Sequence, residues 1–277
     1  MKKIIILLAL FAITLNAKLN IALSIAPQAF LLENIAKDKV NILTVVKPGN
    51  SPHTYEPKPS QMIELSKADI YFAIGVEFED VWLNKFKEQN PKMQIIHCDK
   101  NITKMPMVAK NKKGKLDPHI WLSVKNLKTI SKNLAQTLIK KDKPNSNFYN
   151  KNLEELLKKL DSLDSYIKEK LANLTNRKFL IFHPSWGYFA KEYNLEQIAV
   201  EVEGKSPKPR ELIKIINLAK SNNIKVIFAQ PEFSLKSSQI IANEIGGQVV
   251  KISPLAKDVI KNITKFTNAL AGEKIEQ

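Results

Sequence analysis

One apolar stripe constrains this chain more than any other feature. Between Asn145 and Leu174, Leu153, Leu156, Leu160, Leu163, Ile167, Leu171 and Leu174 recur at helical spacing, with no proline or glycine among them. That pattern predicts a single amphipathic helix over 145–174. At 1.5 Å rise per residue it is about 40 Å long, the width of a domain. A second stripe, Leu127, Ile130, Leu134 and Leu138, predicts a helix over 123–141 just before it. A helix of such length either pairs with a copy of itself in a coiled coil or serves as a spine across one chain. What flanks it favours the spine.

On both sides, short apolar runs alternate with helical patterns. Before the spine, strands are predicted over 20–24, 41–46, 70–74 and 94–98, with helices over 28–36, 60–67 and 78–88 between them. Ser60 is the expected cap of its helix. After the spine, strands are predicted over 179–183, 197–202, 226–230 and 248–253, and helices over 185–193, 209–221, 234–245 and 257–270. Pro209 suits a first helical turn, and Gly246-Gly247 a helix stop. Such alternation predicts an α/β fold of two lobes, each a parallel sheet flanked by helices, joined by one long backbone helix. The expected boundaries are 18–144 for the first lobe, 145–175 for the linking helix and 176–277 for the second lobe. No internal repeat stands out.

The first seventeen residues are set apart. Met1-Lys2-Lys3 is a short basic region, Ile4 to Leu15 an almost unbroken apolar run, and Asn16-Ala17 a small-residue end. This is the layout of a cleaved secretory signal peptide over 1–17, and the run is too short to span a bilayer comfortably. A periplasmic location is therefore expected. No cysteine follows the run to carry a lipid. Cys98 is the only cysteine, so neither an internal disulfide nor a cysteine-rich metal site is available. The formal net charge of +16 raises nucleic acid as a partner. Yet Arg177 and Arg210 are the only arginines, and base readout leans on arginine forks. A solvated lysine surface and no nucleic-acid partner are expected. The lysine-rich stretch Lys110 to Lys115 reads as a surface loop.

Three of the four histidines sit in unrelated, proline- and aromatic-rich loops, each more than sixty residues from the next. They are His53 in Ser51-Pro52-His53-Thr54-Tyr55-Glu56-Pro57, His119 in Asp117-Pro118-His119-Ile120-Trp121, and His183 in Phe182-His183-Pro184-Ser185-Trp186. Ligands of open α/β sheets bind beyond the carboxyl ends of the strands. His53 and His119 from the first lobe and His183 from the second are therefore expected to face one another across a cleft. Three neutral imidazoles make most of a tetrahedral zinc site. His97, inside a predicted strand, reads as structural. Asp117 and Glu56 stand close enough in sequence to orient the ligand rings through their second ring nitrogens, or to cap turns.

These segments resemble the metal motifs of the ABC-transporter zinc and manganese receptors, the ZnuA/TroA-like family. Pro48 to Ser60 resembles the first motif, Asp117 to Ser123 the second and Phe182 to Phe189 the third. The resemblance implies ligand roles for His53, His119 and His183, and a membrane permease and its ATPase as separate partner chains. It also implies a carboxylate near the chain's end, where this chain has Ser253-Pro254-Leu255-Ala256. Water, Asp258, Glu201 or Glu232 are the alternatives for a fourth ligand. The histidine-rich loop of many zinc receptors is absent; the lysine-rich stretch stands there.

Imidazole donors suit zinc, copper, iron and nickel, whereas manganese favours oxygen. Manganese-type members are expected to carry a carboxylate in place of the third histidine, and this chain keeps His183. The expected function is thus an extracytoplasmic, monomeric binding protein that carries Zn2+ as its transported ligand to an ABC permease, and not an enzyme. The alternatives are a manganese or other divalent-metal receptor or adhesin of the same family, and a zinc hydrolase. Against the hydrolase, there is no His-Glu-x-x-His helix.

Overall fold

The structure, a computed structural model, describes residues 18–107, 115–201 and 205–273. The proposed signal peptide and most of Lys110 to Lys115 lie outside these residues. The first lobe carries β1 (Leu19–Leu23), α1 (Ala26–Ala36), β2 (Val40–Thr44), α2 (Pro59–Leu65), β3 (Ile70–Ala73), α3 (Glu77–Gln89) and β4 (Gln94–His97). Its four strands are parallel, in the order β2-β1-β3-β4. Helices α4 (Val124–Lys141) and α5 (Ser146–Leu171) follow. The second lobe holds β5 (Lys178–Ile181), α6 (Gly187–Glu192), β6 (Glu196–Ala199), α7 (Pro209–Ser221), β7 (Val226–Ala229), α8 (Lys236–Ile245), β8 (Gln248–Lys251) and α9 (Val259–Leu270). Its sheet, also parallel, runs β6-β5-β7-β8. The two lobes thus share one strand order. In each, the chain adds a strand on one side of the first strand and then crosses to the other side.

Helix α5 behaves as the spine its periodicity predicts. Leu156, Leu160, Leu163, Ile167 and Leu171 are buried along one face, each contributing about 1.5–3 kcal/mol by burial. The helix packs on α4 and α1 of the first lobe and on α9 of the second. Hydrogen bonds fix both of its halves. Asn152 Nδ2 donates to Ile35 O at 2.9 Å, and Tyr166 Oη donates to Asn268 Oδ1 at 2.6 Å. One apolar core runs from Ile21 and Phe72 through Leu160 to Phe179, Phe228 and Phe266. The lobes therefore share an interior rather than being joined by a bare linker. A smaller core lies beneath α7 and α8, around Leu180, Ile227 and Ile241.

Several element ends differ from expectation for a local reason. Helix α2 begins at Pro59, with Lys58 and not Ser60 as the flanking extended residue. Proline at the first helical position already supplies the fixed φ of the helix. The apolar runs continue past most strands: Val45, Val46, Ile74 and Phe182 are buried although the β-ladder has ended. They carry the chain, still packed, from the strands into the cleft loops.

Candidate metal centre

Each motif histidine follows a strand of a parallel sheet. His53 lies in the loop between β2 and α2. His119 follows β4 and precedes a short 3₁₀ turn, Ile120–Leu122, leading into α4. His183 lies just beyond β5. The loops are held by their own side chains. In the first, buried Gln61 accepts from Tyr55 Oη at 2.8 Å and from Lys58 N at 3.0 Å, and donates to Val45 O at 2.7 Å. In the second, Asp117 N donates to Met105 O at 2.8 Å, and Tyr188 Oη of α6 donates to Asp117 O at 2.8 Å. A Cβ at Gly187 would stand 3.1 Å from Asp117 Oδ2, so glycine there gives the aspartate room. In the third, Gln230 accepts from His183 N at 3.0 Å and donates to His183 O at 2.7 Å. Phe233 stacks on the His183 ring with centroids 5.1 Å apart.

These loops bring the three imidazoles into one cluster. The ring centroids of His53, His119 and His183 lie 5.7, 5.1 and 5.3 Å apart, and one nitrogen from each falls within 4.8 Å of the other two. His119 and His183 are buried and His53 half-buried. His97 stands apart, exposed at the end of β4.

A carboxylate backs each ring. Glu77 Oε1, in the first turn of α3, is 2.7 Å from His53 Nδ1. Asp117 Oδ1 is 2.8 Å from His119 Nδ1 and also accepts from His119 N at 2.9 Å. Glu201 Oε1 lies 3.1 Å from His183 Nδ1, close enough for attraction but without hydrogen-bond alignment. A carboxylate at Nδ1 keeps the proton there and leaves the Nε2 lone pair free. Nε2 of His53 and Nε2 of His183 are 3.2 Å apart. Two lone pairs so close repel unless a proton or cation lies between them. A tetrahedron with metal–nitrogen bonds of 2.0–2.1 Å has an edge of about 3.3 Å.

The electrostatics agree. Burial alone would raise the Glu77 carboxyl, but the hydrogen bond and charge of His53 outweigh it and hold the carboxyl at about 2. Burial pushes the His183 imidazole below its ordinary value, against the opposing pull of Glu201. A buried, neutral ring is a ready donor for a cation. Between the rings is a cavity of about 20 Å³, lined also by Trp121, Glu232, Phe233 and Pro254. That is room for little more than one water-sized sphere, the scale of a single ion.

One of these partners, Glu77, is absent from the sequence expectations, and Glu201 takes a role other than the one expected of it. Glu56 is exposed, because Tyr55 and Pro57 on either side take the buried positions; Glu77 from the next strand end backs His53 instead. Glu201 backs His183 from behind, and Asp258 caps α9 by accepting from Lys261 N at 2.9 Å. Of the three alternative carboxylates, Glu232 alone lines the cavity.

Comparison with known proteins gives a consistent result. The family model described as ZnuA, the periplasmic component A of the zinc-uptake complex, matches residues 21–271. A solved structure described as the crystal structure of ZnuA superposes with a TM-score of 0.88 at 41% identity, covering 93% of this chain and 99% of that one. A metal ABC transporter substrate-binding lipoprotein of Lactococcus lactis is 30% identical over 244 residues, 83% of this chain and 77% of that protein. The manganese ABC transporter substrate-binding lipoprotein PsaA of Streptococcus anginosus is 33% identical over 220 residues, 75% of this chain and 71% of that protein.

Proposed function

The chain belongs to the ZnuA family, and from that premise we propose that it is the substrate-binding protein of a metal ABC transporter, with Zn2+ as its cargo. It takes the ion up on the extracytoplasmic side of the membrane, in the cleft between its lobes, and hands it to a permease. In this reading His53, His119 and His183 ligate the ion through Nε2, Glu77 and Asp117 hold the first two rings in the donating tautomer, and Glu201 attracts the third from behind. The observation that carries it is the convergence of three carboxylate-backed imidazoles on one ion-sized cavity. Relatives in the family are described as substrate-binding proteins, and in this reading the ion leaves as it arrived.

Zinc is favoured by the donors. Nitrogen-rich sites select borderline metals, and zinc tolerates the small tetrahedral geometry without electronic penalty. A second reading, manganese, draws support from the PsaA relatives. Titration of chelator-stripped protein with zinc and then manganese separates the two. Zinc is expected to bind one ion per chain and to resist displacement by excess manganese. Displacement of zinc by manganese would overturn the zinc reading and leave the receptor reading standing.

A further inference from the structure

We propose that Glu232 is the fourth ligand, closing the tetrahedron with a carboxylate supplied from the loop after β7; the assignment rests on the receptor reading above. Among the described residues lining the cavity, Glu232 is the only one with an anionic side chain. Apart from the imidazoles, the other described neighbours are a serine and apolar side chains. Its two oxygens are treated differently. Ser253 Oγ donates to Oε1 at 2.7 Å, whereas Oε2 is buried without a hydrogen-bond partner. A buried carboxylate oxygen left unpaired is costly, and a bound cation removes that cost.

The frame around Glu232 is tied to the ligand rings on two sides. Phe233, the next residue, stacks on His183. Ser253 is held by its neighbour Pro254, whose carbonyl accepts from Trp121 Nε1 at 2.7 Å, two residues from His119. Leu255 N also donates to Ser253 Oγ at 3.1 Å, so the serine hydroxyl has its proton directed at Glu232. Ser253 thus orients a carboxylate instead of providing one. Among the described residues the mutually close donor set is the three imidazoles, and Glu232 stands one step outside it. Ligation therefore takes a side-chain rotation that carries Oε2 inward while Ser253 keeps hold of Oε1.

The test combines calorimetry and crystallography on the full chain with zinc as the probe. Wild type, Glu232→Gln, Ser253→Ala and His119→Ala are titrated after chelator treatment, and zinc-loaded wild type is crystallised. Glu232→Gln is expected to keep one site per chain with affinity lowered about tenfold or more, since even partners behind a ligand carry that much. Ser253→Ala is expected to show a smaller loss. In the crystal, Glu232 Oε2 should lie about 2.0–2.2 Å from zinc. Wild-type affinity in Glu232→Gln, or a zinc-bound water with Glu232 still outside, overturns the assignment. In either case a severe loss in His119→Ala leaves the receptor reading intact. If wild type takes up no zinc, the zinc reading falls and this assignment falls with it, while uptake of manganese in its place leaves the receptor reading standing.

Discussion

Asp117→Asn isolates what the backing carboxylates do. The substitution is nearly isosteric, and its site is well defined: Asp117 Oδ1 receives both His119 Nδ1 at 2.8 Å and His119 N at 2.9 Å, and both residues are buried. Asparagine can keep the backbone bond. It removes the charge, however, and a charge-assisted hydrogen bond is about twice as strong as a neutral one. If its amide nitrogen turns towards Nδ1, the ring must carry its proton on Nε2, and the donor lone pair is lost. Zinc affinity should therefore fall about 10- to 100-fold, or about 1.4–2.7 kcal/mol, with one site per chain retained. The same reasoning ranks the other two carboxylates. Glu77→Gln should cost less, because Glu77 is 30% exposed and water can replace part of its role. Glu201→Gln should cost least, since its approach to His183 lacks hydrogen-bond alignment. The assay is calorimetric competition against a chelator at pH 7.5, with the exposed Glu56→Gln as the control expected to match wild type. Wild-type affinity for Asp117→Asn, alongside a large loss for His119→Ala, would refute the idea that carboxylates set the tautomer.

Other consequences can be checked separately. Protons compete for the Nε2 lone pairs, so zinc affinity should be lower at pH 5.5 than at pH 7.5; equal affinities would contradict imidazole ligation. Because burial lowers the His183 value, the metal-free fold prefers that ring neutral. Its contribution to stability is full above the unfolded histidine value of about 6.5 and declines as pH falls towards the lower folded value, a trend visible in chemical denaturation of the apo protein. Leu160→Ala, at a fully buried position of α5, should destabilise the chain by about 2–5 kcal/mol without changing zinc stoichiometry; a loss under 1 kcal/mol would mean α5 is not the packed spine. Finally, spin labels on α2 and α8 should show nearly the same separation with and without zinc, because both lobes share the α5 core. A change of many ångströms would refute that rigidity.

Much of this architecture was legible from pattern alone, and its misses share a cause. Both ends of helix α7 are legible because Pro209 starts it and Asn222-Asn223 ends it, Asn223 taking a left-handed φ of 49°. The spine was legible because its stripe depends only on residues near one another in sequence. The three histidines could be singled out by their loops, and their convergence followed from the rule about strand ends. What could not be read is whatever depends on pairing between loops. Glu77 is far from His53 in sequence, and the only hint was an acidic residue in the first helical turn after a strand. Glu201 is hidden in the same way beyond β6. The common strand order of the two lobes left no repeat in the sequence, because topology constrains where the strands lie and not which apolar residues fill them.

X-ray absorption at the zinc edge on the loaded wild-type protein addresses the central claim most directly. Convergence of His53, His119 and His183 on one ion predicts four light-atom neighbours at about 2.0–2.1 Å, with the outer scattering of three imidazole rings. A spectrum requiring one ring or none would contradict the account.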